Sequence, residues 1–205
     1  MTAFSTAANP ESDASVLPRT GTGMRAPGWW GMLLFCITEG MLFLFFVGSY
    51  FYLRGSAVAF EAEGGRNPAL GIPMVLTVLL VGSSATLRWG EVGIRRGDRR
   101  RLTMGLAATI VLGAAFLALQ AIEYARLEQM PQTNAYWSSF YTITGVHGAH
   151  VLLGLLMLTM NLIRATRGHF TSDRHLAVQN GALYWHTVDI VWIVIVTALY
   201  LSPRL

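Results

Sequence analysis

Five apolar stretches dominate this sequence, and each is long enough to cross a lipid bilayer. They cover residues 29–53, 68–94, 102–126, 139–164 and 177–201. An α-helix rises 1.5 Å per residue, so about 20 residues cross the roughly 30 Å hydrocarbon core. Inside lipid, the backbone N–H and C=O groups must be satisfied within each segment, which favours helices. The sequence therefore predicts an all-α bundle of five transmembrane helices, formed by residues 27–205.

The composition supports a single membrane domain preceded by a polar tail. Hydrophobic residues make up 53% of the chain and charged residues only 13%, about half the charged share of a soluble protein. Residues 1–26 are polar and lack the apolar core of a signal peptide, so we expect a disordered cytoplasmic tail. The single cysteine, Cys36, lies in the first apolar stretch and has no partner for an internal disulfide.

The arginines are concentrated in alternate loops, which predicts the orientation of the bundle. The chain has no lysine, and its densest basic run, RRGDRRR, lies between the second and third stretches. Arg164, Arg167 and Arg174 lie between the fourth and fifth stretches, and Arg19 and Arg25 lie in the N-terminal tail. Cytoplasmic loops of membrane proteins are enriched in such residues. We therefore expect a cytoplasmic N-terminus and a periplasmic C-terminus, and we attribute the basic charge to topology rather than to nucleic-acid binding.

Several ionisable side chains lie within the apolar stretches, where burial is costly and usually has a functional reason. His147 and His150 are three residues apart, as are His186 and Asp189, so each pair is close to one face of its helix. These side chains could bind a metal together with Glu39, or they could join helices through hydrogen bonds. Glu39 itself could be a carboxyl group that handles protons or lipid, or a neutral acid bonded to a neighbouring helix.

A further pair of polar residues, Gln120 and Glu123, lies near the outer end of the third stretch. We interpret it as an interfacial cluster that ends the helix. We expect a buried polar network, and its members are Glu39, Gln120, Glu123, His147, His150, His186 and Asp189.

The sequence contains no motif for a nucleotide or a bound redox centre. It lacks a phosphate-binding glycine loop, a dinucleotide fingerprint and a C-x-x-C-H haem attachment site. We therefore expect no catalytic, cofactor-binding or metal-binding residue in this chain.

Six short motifs resemble those of subunit III of the haem–copper respiratory oxidases, in the same order. They are W-x-G-M-L-L-F-x-x-T-E-G-M-L-F around Glu39, S-Y-F-Y-L-R ending at Arg54, L-Q-A-I-E-Y around Glu123, T-G-V-H-G-A-H-V-L-L-G around His147 and His150, H-F-T-S-D-R-H from His169, and Y-W-H-T-V-D-I-V-W from Tyr184. Each is weak alone, but the set spans residues 29–192 and is specific. The chain is similar to the five-helix bacterial form. One departure is Gln179, where many members have glutamate.

The resemblance implies an accessory subunit without metal centres, in the bacterial inner membrane. Such a subunit contacts the catalytic subunit I, accompanies subunit II, and leaves haem and copper to those partners. It supports proton uptake, protects the active site over many turnovers, and binds structural phospholipid. Arg164 and His169 match basic positions near lipid head groups, and Arg167 and Arg174 lie beside them. We expect the lipid tails to lie between the first two helices and the other three.

Other functions remain open from the sequence. The same subunit could serve a quinol oxidase or accompany a nitric oxide reductase, because the electron-donor site lies on other chains. A proton-coupled transporter using Glu39 and Asp189 is a more distant alternative, and the chain lacks the internal repeats typical of that class. A free-standing haem or metal enzyme is the last alternative.

The orientation can be tested with reporter fusions. A reporter placed near Gly97, within the arginine-rich loop, should be cytoplasmic, and one placed near Gln132 should be periplasmic, because arginine-rich loops are retained inside. Paired alkaline phosphatase and fluorescent protein fusions would measure this. The reverse pattern at both positions would contradict the predicted orientation.

Overall fold

The computed structural model describes residues 26–56, 70–127, 132 and 134–202. Its helices are α1 (Pro27–Ser56), α2 (Gly71–Arg95), α3 (Arg99–Arg126), α4 (Ala135–Thr166) and α5 (Leu176–Ile195), and α5 continues as a π-helical segment, Val196–Leu201. All five are long and apolar enough to cross a membrane. The prediction of an all-α bundle with five spanning helices is confirmed, and the protein is a multi-pass membrane protein.

The helix ends differ from the predicted ones by a few residues, for local reasons. α3 begins at Arg99 because the Asp98 carboxylate accepts the backbone N–H of Arg101 at 3.0 Å, which is a standard N-cap. α4 begins at Ala135 because Asn134 caps it through the N–H of Trp137 at 3.0 Å. α2 begins at Gly71 rather than at 68, and the first two residues of the predicted span lie outside the described residues. The predicted tail also lies there, apart from Ala26.

The tight connection between α2 and α3 depends on one glycine. Gly97 has a φ angle of +81°, a conformation that residues with a Cβ atom rarely adopt. The N–H of Gly97 bonds to the carbonyl of Ile94 at 2.9 Å, and that of Asp98 bonds to Gly93 at 2.9 Å. These bonds end α2 and reverse the chain within three residues. α2 and α3 then run side by side as the most extensive helix pair of the bundle.

α5 is the central helix of the described bundle. It packs against α1, α2 and α4, and a much larger share of its residues is buried than of those in α1. α1 lies on the outside, where Leu44 and Phe45 are largely exposed. It is tied to α5 near both ends. Asn180 donates to the carbonyl of Gly28 at 3.3 Å, and the Arg54 guanidinium donates to the hydroxyl of Ser202 at 2.9 Å.

This arrangement corrects the expected division of the bundle. The first two helices were expected to form one wall of a lipid cleft, but α2 packs mainly against α3 and makes little contact with α1. Phe43 and Tyr50 of α1 are buried within the protein. The sequence-based prediction failed because neighbouring helices in the chain need not be neighbours in the fold. The apolar space beside α1 lies against α5 instead, in a cavity of about 370 Å³.

Candidate functional site

Glu39 and His150 form a pair that joins α1 to α4 near the midpoint of both helices. Glu39 Oε2 lies 2.8 Å from His150 Nε2, and both side chains are partly buried. His150 Nδ1 lies 2.8 Å from the carbonyl oxygen of Val146. Because a carbonyl only accepts, Nδ1 must carry a hydrogen. The pair therefore holds one further proton between Glu39 and Nε2, either as a neutral acid and imidazole or as an ion pair.

His147 lies one helical turn from His150 but has different surroundings. It is fully buried, and its Nε2 donates to the carbonyl oxygen of Val188 on α5 at 3.2 Å. The rings of Phe43, Phe116 and Trp192 surround it, at 6.2, 5.8 and 5.0 Å between centroids. Its Nδ1 has no hydrogen-bond partner in the described part of the chain. Such an apolar cage favours the neutral ring, so His147 acts as a link between α4 and α5.

His186 and Asp189 meet at a residue that sequence reasoning missed, Ser84 of α2. The Ser84 hydroxyl lies 2.7 Å from His186 Nδ1 and is also hydrogen-bonded to Asp189 Oδ2. The second Asp189 oxygen, Oδ1, is buried without a partner among the described residues. Ser84 could have been proposed from its position, since hydroxyl side chains are frequent at helix contacts in membranes. Two adjacent serines in an otherwise apolar stretch, Ser83 and Ser84, nevertheless give no signal that distinguishes one from the other.

Gln120 and Glu123 form separate contacts toward the C-terminal end of α3. The Gln120 side-chain amide donates to the carbonyl oxygen of Thr144 at 3.2 Å and to the Tyr124 hydroxyl at 3.3 Å. Both Glu123 oxygens accept from the Tyr200 hydroxyl, at 3.4 and 3.5 Å. Tyr200 lies in the π-helical segment, so Glu123 fixes the C-terminal end of α5. Both residues are buried, so they join helices rather than forming a wet interfacial cluster.

Two tryptophans attach α5 to the rest of the bundle. Trp185 donates from Nε1 to Ser83 Oγ at 2.9 Å, and Trp192 donates to Thr77 Oγ1 at 3.1 Å. The Trp185 ring occupies a notch left by two glycines. A Cβ atom on Gly113 would lie 2.7 Å from this ring, and one on Gly154 would lie 2.9 Å from it. Only glycine at these positions allows α3 and α4 to approach the indole so closely.

A second residue that sequence reasoning missed is Glu91, at the arginine-rich end of α2. It is buried and paired with Arg88 at 2.7 Å and Arg95 at 2.5 Å. The spacing of three and four residues places all three on one helix face, which could have predicted the cluster. Beside it lies a cavity of about 380 Å³, here called the arginine-end cavity, lined by Trp29, Glu91, Arg95, Gln179, Ala182, Leu183 and His186.

The five residues considered as a metal site do not converge. Glu39 pairs with His150, His147 bonds to a backbone carbonyl, and His186 and Asp189 share a serine. Among the residues that the structure describes, no three histidine, cysteine or acidic side chains are grouped closely enough to hold a metal. The predicted network is thus divided into pairs, each joining two helices.

The residues predicted to bind lipid lie in the last turn of α4 and in the connection from α4 to α5. Arg164, Arg167, His169 and Arg174 are all exposed. The Arg164 guanidinium lies 5.2 Å above the ring of Phe170, and His169 Nδ1 lies 3.3 Å from the Arg164 carbonyl oxygen. Gly168, with a φ of +77°, turns the chain so that the His169 ring reaches the Arg164 backbone and the Phe170 ring reaches the Arg164 guanidinium. The cluster can offer several N–H donors to one anionic group.

Comparison with known proteins identifies similar sequences over nearly the whole chain. Residues 19–203 match the family model for cytochrome c oxidase subunit III. Cytochrome c oxidase subunit 3 of Thermostichus vulcanus is 35% identical over 175 residues, which cover 85% of this chain and 87% of the relative. The protein of the same name from Coturnix japonica is 36% identical over 89% of this chain and 71% of its own length. That from Synechocystis sp. is 37% identical over 83% and 74%.

The pairing of Glu39 with His150 predicts energetic coupling between them. In a double-mutant cycle with Glu39→Gln and His150→Phe, we expect a coupling energy of about 0.5–1.7 kcal/mol, because the bond is interhelical and shielded from water. Reversible unfolding in mixed micelles would measure it. The control cycle combines Glu39→Gln with Glu123→Gln, which share no partner and should add within about 0.5 kcal/mol. Equal coupling in both cycles would contradict a specific pair.

Proposed function

This chain belongs to the cytochrome c oxidase subunit III family, and from that membership we propose that it is an accessory subunit of an aerobic terminal oxidase. The complex reduces O2 to water and pumps protons, and it lies in the bacterial inner membrane. The carrying observation is that the family match spans all five described helices. The buried polar contacts support the same role, since each fixes the position of one helix relative to another.

The electron-transfer centres of the complex belong to partner chains in this proposal. Haem and copper would be held by subunits I and II, with subunit I in direct contact with this chain. In support, the buried histidines and carboxylates described above are already engaged in pairs with other protein groups. The exposed apolar side chains of α1, such as Leu44 and Phe45, are available to partner helices and to acyl chains.

The contribution of this subunit would be to keep the catalytic subunit intact and supplied with protons. A rigid bundle can do this, because its helices are locked by Trp185 in its glycine notch and by the contacts of Glu39 and Asp189. Interhelical hydrogen bonds in membranes contribute about 0.6 kcal/mol each on average. Several of them act together across the three helices around α5.

We expect a complex depleted of this chain to keep its initial activity and then lose it during turnover. The loss of a catalytic acid or base costs roughly 10²- to 10⁴-fold, so an accessory role predicts an initial rate within about tenfold of the intact complex. The measurement is O2 consumption by the complex purified with and without this chain, using cytochrome c and then quinol as donor. O2 consumption with quinol but not with cytochrome c would indicate a quinol oxidase.

Two outcomes would contradict the accessory role. One is an initial rate of zero in a depleted complex that retains its haem spectrum, which would require a direct catalytic part for this chain. The other is the absence of any haem-containing partner when the tagged chain is purified from its own membrane.

The second part of the proposal is a phospholipid bound at the Arg164–His169 cluster. The exposed Arg164 guanidinium can grip a phosphate through two N–H groups, which the ammonium of lysine cannot do. Arg167 and Arg174 add positive charge nearby. The tails would lie along the outer, apolar surface of the bundle rather than between its first two helices, since α2 packs against α3.

Substitution of Arg164 separates lipid binding from a purely topological role. We expect Arg164→Ala to weaken lipid retention about tenfold or more, and Arg164→Lys to weaken it partly, because the charge remains and the paired donors are lost. Native mass spectrometry of the purified complex would measure retained lipid. Arg100→Ala is the matched control, because it removes an exposed arginine at the same end of the bundle. Unchanged retention in every variant would leave only the topological role.

A further inference from the structure

In the contact between His186, Ser84 and Asp189, the protonation of His186 and Asp189 determines which group donates each hydrogen bond. The Ser84 hydroxyl has one hydrogen and lies between His186 Nδ1, at 2.7 Å, and Asp189 Oδ2, to which it is also hydrogen-bonded. If Ser84 donates to Asp189, then His186 Nδ1 must donate to Ser84. If Ser84 donates to Nδ1, then Asp189 must be a protonated acid that donates to Ser84. The same three side chains therefore accommodate both arrangements.

The two arrangements differ by the transfer of one proton. In the first, His186 carries hydrogens on both nitrogens and Asp189 is ionised. The Nδ1 proton moves to Ser84 Oγ while the Ser84 proton moves to Asp189 Oδ2. The result is a neutral imidazole with hydrogen on Nε2 and a neutral carboxylic acid. No atom is lost or gained, and the paired charges on the imidazole and the carboxylate are neutralised together. The reverse transfer restores the first arrangement.

The surroundings favour Asp189 as the resting position of the proton. Asp189 is 6% exposed, and its Oδ1 is buried without a partner in the described part of the chain. A buried ionised oxygen without a donor is costly, whereas a neutral carbonyl oxygen in the same place is far less so. The site lies near the middle of α5, where a charge is most expensive.

His186 connects this buried acid to the arginine-rich end of the bundle. Its ring lines the arginine-end cavity while its Nδ1 is bonded to Ser84, so Nε2 is the nitrogen left to exchange protons there. The cavity of about 380 Å³ is lined by Glu91, Arg95 and Gln179 at its polar side. The cavity is large enough to hold water, and these polar side chains offer it hydrogen-bond partners. Exchangeable groups thus extend from the cavity through His186 and Ser84 to Asp189, near the middle of α5.

We propose that Asp189 is a buried proton-binding site that exchanges protons with the arginine-rich side through Ser84, His186 and the arginine-end cavity. The charged neighbours of His186 on α2 are Glu91 and Arg88, and Arg95 also lines the cavity. On the α4 side, His147 bonds to the carbonyl beside Asp189. On the α1 side, Cys36 contacts Thr187 and Glu39 is engaged by His150. The site would store a proton within the subunit.

Infrared spectroscopy of the full chain in lipid nanodiscs tests this site directly. A protonated Asp189 gives a carboxylic-acid C=O band that shifts when the proton is replaced by deuterium, and Asp189→Asn identifies the band by removing it. After transfer to D2O, we expect rapid exchange in the unaltered chain. We expect exchange at least about tenfold slower in Ser84→Ala and in His186→Gln, because each variant removes one link of the path.

Matched variants separate the relay from a general loss of packing. Ser84→Thr keeps the hydroxyl and should exchange at nearly the original rate. Ser139→Ala removes a hydroxyl that bonds to a carbonyl of its own helix, and it should have no effect. If Ser84→Ala does not fold, His186→Gln still decides the question, with far-ultraviolet circular dichroism as the check on folding.

Two results would overturn the proposal. One is equal exchange in the unaltered chain and in the folded relay variants. The other is the absence of an Asp189 acid band at every pH at which the chain stays folded. Both measurements use this chain alone, so they do not depend on its role in an oxidase. Failure of the accessory role in the depleted complex would leave the proton site standing, and the reverse also holds.

Discussion

The structure depends on the need of buried polar groups for partners on other helices. Lipid offers no hydrogen bonds, so each polar side chain within the bundle must be satisfied by protein. α5 meets this requirement with two of its neighbours. Asp189 and Trp185 bond to α2, and the backbone beside Asp189 accepts from His147 of α4. The position of α5 at the centre of the described bundle therefore follows from its polar side chains as much as from its apolar ones.

The helices could be predicted from the sequence because their signal is local. Length and hydropathy define a spanning helix without reference to its neighbours, and the five predicted spans correspond to the five observed helices within a few residues. The arrangement of the helices could not be predicted in this way. α1 and α2 are consecutive, but α2 packs against α3 and α1 against α5. Helix neighbours depend on side-chain fit, such as the Trp185 ring in its glycine notch.

The polar side chains of the candidate site could be named from the sequence, but their hydrogen-bond partners could not. His147 and His150 were expected to act on one face, yet one bonds to α5 and the other to α1. Two residues three positions apart point about 60° away from each other around a helix of 3.6 residues per turn. The two rings therefore diverge enough to reach different neighbours. Ser84 and Glu91 were missed for different reasons. Ser84 lies in an apolar stretch, where a serine follows no sequence pattern that indicates a polar contact. Glu91 lies within residues 68–94, which were interpreted only as an apolar span, so its spacing from Arg88 and Arg95 was overlooked.

Depth in the membrane explains why the polar clusters differ in charge. Glu91 lies near the end of α2, where Arg88 and Arg95 are half-exposed and can reach water while pairing with it. An ion pair is affordable there because its cations remain solvated. Asp189 and Glu39 lie farther from the helix ends, and each is connected to a histidine instead of an arginine. Glu39 is hydrogen-bonded directly to His150, and Asp189 is connected to His186 through Ser84. An imidazole can accept or release a proton, so these sites can be neutralised in place, whereas an arginine pair cannot. Permanent charge is thus found near the helix ends, and shared protons are found in the middle, where a fixed charge would cost most.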